Sequence, residues 1–268
     1  ILGRNVVFEI DDDHSSAERA RDIYRRFMDD SKVDFIFAPY SSDLTAAVAP
    51  IAEEHGYPML AAGAAADGLW RQGYAMLIGV LTPASRYTLG IMRLASESGL
   101  STLALIHAED DFSREIAAGT RKWAPFLKLK VVFDQSLVAD GATDAENARA
   151  VSKTGADMVI VAGYFGEAKR MRQALRDSAW QPRAFFATVG PSLPSWKSEL
   201  GELADLAFST SIWEPAASGA TGISEEFAKA FDQRFGAMPS YHAAAAFAAC
   251  QVFEAAILKS GSFDRTRY

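Results

Sequence analysis

Two spacings of apolar residues alternate along this chain. Short, nearly unbroken apolar runs fall at residues 6–10, 33–38, 59–62, 75–78, 103–107, 131–135, 158–162, 184–187 and 206–209. Runs of this length, rich in Val, Ile, Leu and Phe, fit strands covered on both faces, as in a parallel sheet. Between them lie stretches with helical spacing. The first has Ala17, Ala20, Ile23, Tyr24, Phe27 and Met28 on one side, behind the capping pair Ser15 and Ser16. Further helices are expected over 44–54, 85–98, 113–123, 145–153 and 167–177, and two in succession over 224–235 and 241–259. Strand–helix alternation without hairpin turns implies parallel sheets with right-handed crossovers.

The rhythm breaks and restarts near residue 83, and the tail carries helices without strands. The expected class is therefore α/β, with two doubly wound, Rossmann-like parallel-sheet domains. The first spans 1–82 and regains 212–268, because the last helices are too apolar on one face to stand alone. The second spans 83–211.

The 268 residues carry a net charge of −7 with 49% hydrophobic content, and no basic run marks a nucleic-acid or membrane surface. No stretch reads as a membrane span or a signal peptide. Cys250 is the single cysteine, so no intrachain disulfide forms, and its Ala-rich setting reads as core.

Ligands of parallel α/β sheets gather at the carboxyl ends of the strands. Here those ends carry Tyr40, Ser41 and Ser42; then Gly63, Ala64 and Ala65; then Phe112; then Gly163 and Tyr164; then Thr188, Val189 and Gly190. Ser41, Ser42 and Asp43 are good caps for the helix that follows, and a helix start there offers unpaired N–H groups to an acceptor. An ordinary serine-capped β–α turn has the same pattern. The whole set comprises hydroxyls, small residues and aromatics. It contains no nucleophile–base pair, phosphate loop, Gly-x-Ser-x-Gly elbow or Gly-x-Gly-x-x-Gly fingerprint, so it suits binding better than catalysis and calls for no cofactor. Asp11, Asp12, Asp13 and His14 read as a solvated turn or, less simply, as metal ligands; His107 near Asp110 and Asp111 reads as a polar strand end or a base.

Five segments, residues 2–13, 38–42, 49–58, 162–164 and 239–244, resemble in order the type I periplasmic binding proteins of the branched-chain amino-acid group. The resemblance implies two domains that close on a small-molecule ligand about a hinge, a periplasmic or other extracytoplasmic location, and delivery to the membrane permease of an ABC importer. Related members act as sensors, so the alternative expectation is a ligand-sensing regulatory protein of the same fold, for an amide or amino acid. The resemblance further implies that Ser41 binds a ligand carboxylate, that Gly63 and Ala65 offer backbone groups, that Phe112 forms an aromatic wall, and that Tyr164 closes over the ligand. Amino-acid binders of the group place an acid where Val189 stands here. A buried ammonium without a carboxylate is costly, so a carboxylate or amide with an apolar or aromatic body is expected. The group also has a first strand–helix pair and closing strands with no counterpart in this sequence, and the chain is expected to be a portion of a longer protein.

Overall fold

The computed structural model describes residues 1–215 and 222–267. In chain order the elements are α1 (Ala17–Asp29), β1 (Ile36–Phe37), α2 (Ser42–Glu54), β2 (Met59–Ala61), α3 (Asp67–Arg71), β3 (Leu77–Gly79), α4 (Leu89–Glu97), β4 (Thr102–His107) and α5 (Asp111–Trp123). There follow β5 (Lys130–Ser136), α6 (Asp144–Thr154), β6 (Met158–Ala162), α7 (Phe165–Asp177), β7 (Ala184–Ala187), α8 (Pro194–Leu200), β8 (Ala207–Ser209), α9 (Gly222–Phe235) and α10 (Tyr241–Ser260). All strand pairs are parallel. The chain packs as two compact units, Ile1–Leu81 with Ile212–Tyr268, and Thr82–Ser211.

The first unit is built on a three-stranded sheet in the order β1-β2-β3. Strand pleating sends successive side chains to opposite faces. Met59 and Ala61 face the layer of α1 and α2, where Ala20, Ile23, Val48 and Ala52 are buried. Leu60 faces the other way and meets Ala249 and Phe253 of α10. Phe253 also packs against the rings of Phe35 and Phe37. This is why the apolar tail joins the first unit.

The second unit carries a five-stranded sheet in the order β5-β4-β6-β7-β8. Leu103, Leu105, Met158, Ile160 and Phe186 bury one face with α4 and α5. Ala104, Ile106, Val159, Val161 and Phe185 bury the other with α6, α7 and α8. Asp157, just before β6, staples the amino ends of the strands: it accepts from the Ser101 and Thr102 N–H groups at 2.9 and 3.1 Å and from both hydroxyls.

Several expectations are corrected. Residues 6–10 form no strand. Val6, Val7, Phe8 and Ile10 are exposed, and the segment is held instead by polar side chains: Arg4 on Asp34, Glu9 on the Ser31 hydroxyl, Asp11 on Arg26. A strand needs a ladder, and no neighbour supplies one here. The run 33–38 shortens to β1, since only Ile36–Phe37 pair with β2. The helix expected over 85–98 splits into a 3₁₀ turn, Ala84–Arg86, and α4. Two short helices, α3 and α8, were not anticipated. Cys250 is half-buried rather than core. Finally, α10 has the length and apolarity of a membrane span, although none was expected; one of its faces packs on the first unit's sheet.

Candidate ligand-binding site

The carboxyl ends of β1 and β2 carry the first group of loops. Pro39 cannot extend the ladder, and its carbonyl accepts from the Thr45 hydroxyl at 3.1 Å, folding the chain straight into α2. Ser41 is the N-cap of α2; its Oγ accepts from the Leu44 N–H at 3.4 Å. Ser42 is buried, and its Oγ accepts from the N–H groups of Ala65 and Ala66 at 3.1 and 3.0 Å. Ser42 therefore ties the start of α2 to the small-residue loop. Ala64 and Ala65 are buried with it, whereas Gly63 stands at the surface end of that loop. A Cβ on Gly63 would lie 2.6 Å from the Tyr40 ring, so glycine is what lets the ring lie against the backbone. Tyr40 is half-exposed, and its hydroxyl stands 3.4 Å from Nε2 of His242, with the rings edge to face. Burial lowers the pKa of that imidazole, favouring its neutral form.

The second group stands on β4, β6 and β7. Asp110 caps α5 by accepting from the Ser113 N–H and hydroxyl at 2.9 and 2.6 Å. This turns Phe112 inward, where it is buried with its ring 5.3 Å from that of Tyr164. Tyr87 meets Phe112 edge-on at 5.4 Å. Tyr164 caps α7, and Glu167 reaches back to its N–H at 3.2 Å. The Thr188 hydroxyl donates to the Gly163 carbonyl at 2.7 Å and accepts from the Gly163 N–H at 3.0 Å, joining the ends of β6 and β7. Val189 is buried. Gly190 takes φ 136° under Trp196, where a Cβ would lie 2.8 Å from the indole, so this glycine serves the turn itself.

Among the expected site residues, Tyr40, Ser41 and Gly63 stand together in the first unit, and Phe112 and Tyr164 in the second. Ser42, Ala64, Ala65, Val189 and Gly190 lie beneath these as support. Sequence reasoning drew neither Tyr87 nor His242 into the candidate site. An aromatic three residues beyond the 3₁₀ turn's first residue carries no periodic signal, and His242 gains meaning only once α10 folds back toward Tyr40.

The alternative chemistries disperse. The His107 Nε2 accepts from Arg121 at 3.0 Å, and Arg121 forks onto Asp134, while Asp110 is a helix cap and Asp111 pairs with Arg114. Asp12 and Asp13 accept from the N–H groups of His14 and Ser15 in their own turn. Among the described residues no three metal-ligating side chains gather. An open groove of about 500 Å³ between α6 and α7, lined by Asp144, Arg149 and Arg170, lies on the helical layer. It shares no residue with either loop group.

Two α/β units, each built on a parallel sheet and carrying hydroxyl, small and aromatic residues at its strand ends, have the architecture of the doubly wound class. The sequence profile of the periplasmic binding protein family matches residues 1–267, and the chain belongs to that family. Its fold is shared by a leucine-binding protein, LivK, of Thermotoga maritima, with 23% identity and a TM-score of 0.87 over 100% of this chain and 76% of that one. LivJ of Streptococcus pneumoniae, solved in complex with isoleucine, gives 22% and 0.84 over 96% and 73%. A solute-binding protein of an ABC transporter from R. palustris, solved with benzoate, gives 16% and 0.85 over 99% and 72%.

Proposed function

We propose that this chain is the extracytoplasmic solute-binding component of an ABC importer, capturing a small carboxylate with an apolar or aromatic body and passing it to a membrane permease without chemical change. The ligand carboxylate is received at the start of α2 by Ser41 and the backbone around Gly63, where the N-terminal N–H groups and dipole favour an anion. Phe112 and Tyr164 offer an aromatic wall to its body, and a ligand shifts the population toward the form that binds it better.

The observation that carries the reading is the valine at position 189, together with the engagement, among the described residues, of the acids around Phe112 and Tyr164. Position 189 is a buried valine. Glu109 and Asp111 pair with Arg114, Asp110 caps α5, and Glu167 is taken by the Tyr164 N–H and Arg170. A buried ammonium there would lose its hydration with no carboxylate in exchange. The R. palustris protein of this fold was solved with benzoate, which has no amine, and this supports the reading.

The test is a thermal-shift and calorimetric comparison of benzoate with leucine. At 100 times its dissociation constant a ligand adds about 2.7 kcal/mol of stability. Stabilisation by benzoate and not leucine is expected, with Ser41→Ala and Tyr164→Ala each weakening binding by about tenfold, the loss of one good contact. Tight leucine binding without benzoate binding would overturn the reading.

A further inference from the structure

We propose that Tyr87 gives the second unit's loops their preference for a ring-bearing ligand over an aliphatic one of the same charge, and that Thr210 positions it. This rests on the reading of Phe112 and Tyr164 as the ligand's wall.

Tyr87 is the third ring of one corner. It is half-buried and meets Phe112 at 83°, while Phe112 and Tyr164 are tilted by 32°. Aromatic rings attract one another through edge-to-face and offset geometry, which an aliphatic body cannot reproduce at equal contact area. A corner of rings held in fixed mutual orientation therefore discriminates by shape of charge distribution as well as by size.

The backbone of Tyr87 is fixed from three directions. Its carbonyl accepts from the Thr210 hydroxyl at 2.8 Å, just beyond the end of β8. Its N–H donates to the Ala84 carbonyl at 3.1 Å within the 3₁₀ turn. That turn is pressed onto α5: the buried hydroxyls of Thr88 and Thr120 are 2.9 Å apart, and a Cβ on Gly119 would fall 2.1 Å from the Ser85 carbonyl oxygen. Tyr87 thus stands beside Phe112 before any ligand arrives, so little ordering cost is left for binding. The threonine hydroxyl matters because residues 82 and 211 bound this unit, and Thr210 joins one end of it to the other.

The experiment measures dissociation constants of the full chain for two matched pairs, benzoate with isovalerate and phenylalanine with leucine, in wild type, Tyr87→Leu, Tyr87→Phe and Thr210→Val. Leucine keeps apolar bulk at position 87 but removes the ring. The ratio of ring-bearing to aliphatic affinity should fall about three- to tenfold in Tyr87→Leu, the range expected for an aromatic pair. It should hold in Tyr87→Phe and fall in part in Thr210→Val, where isovalerate or leucine binding is unchanged. Equal weakening of both members of a pair, or an unchanged ratio, overturns the proposal. Binding of the amino-acid pair without the acid pair defeats the carboxylate reading, and the phenylalanine-to-leucine ratio then decides Tyr87. If only a ring-bearing ligand binds, Tyr87→Leu must weaken it and Tyr87→Phe must not; if only aliphatic ligands bind, or none, the proposal falls.

Discussion

The two units use the same alternation of strand and helix and reach different degrees of closure. In the second, β4 and β6 lie inside a five-stranded sheet, and every residue from Leu103 to Ile106 and from Met158 to Ala162 is fully buried. In the first, the sheet has three short strands, β1 has a single strand partner, and an apolar segment before α1 lies in solvent. An apolar run becomes a strand only when both its backbone groups and its two faces find partners. Composition alone does not decide it: residues 6–10 are as β-prone as residues 158–162.

The largest effect that separates the units is a core truncation. Leu105, on the interior strand β4 and fully buried in the layer it shares with α4 and α5, should cost about 3–4 kcal/mol when changed to Ala, since lost transfer and an unfilled cavity add. Urea melts followed by a second-unit probe would read it; a cost below about 1 kcal/mol would mean that this sheet is loosely packed.

A smaller effect sits at Asp157. Its pKa falls to about 2, chiefly because the Ser101 N–H donates to it, then through the hydroxyl and N–H of Thr102, against the cost of partial burial. In the unfolded chain the same group titrates near 3.9, so its folded pKa is depressed. The stabilisation is fully present above the unfolded value and is lost as pH falls through the folded one. It amounts to about 2 kcal/mol, gone between roughly pH 5 and pH 2. Asp157→Asn should lose about that much at pH 7 and flatten the acid limb of the second unit's stability curve. An unchanged acid limb would mean that other carboxylates govern it.

Legibility in the sequence followed the same division. Residues 158–162 and 184–187 are strands with the expected bounds because an unbroken apolar run flanked by turns has one good solution inside a filled sheet. The helix start behind Ser16 follows from local chemistry, a capping serine, whereas α5 begins at Asp111 behind the cap Asp110, two residues before the expected start, and α6 and α10 end on left-handed glycines, Gly155 and Gly261. Position on a strand end drew Tyr40, Ser41, Phe112 and Tyr164 into the candidate site. What remained hidden depends on contacts distant in sequence. Ser42 looked like a ligand hydroxyl until its acceptance from Ala65 and Ala66 was visible. Tyr87 gave no signal until α5 and Thr210 held it against Phe112.

The smallest expected effect tests the comparison at its weakest point. Ile10 is 86% exposed, and its neighbours Val7 and Phe8 are also in solvent. Burying an isoleucine is worth about 1.5–3 kcal/mol, but an exposed one has gained almost none of that, so Ile10→Ser should shift stability by less than about 0.5 kcal/mol. The tie of this segment to the first unit runs through Arg4 and Asp34, an exposed pair at 2.7 Å, and exposed pairs contribute about 0.2–1 kcal/mol. Arg4→Ala should therefore cost more than Ile10→Ser, reversing the usual order of apolar and charged truncations. A loss above about 1 kcal/mol for Ile10→Ser would mean that residues 6–10 find an apolar partner in solution. It would then follow that the first unit completes its sheet by the same rule as the second.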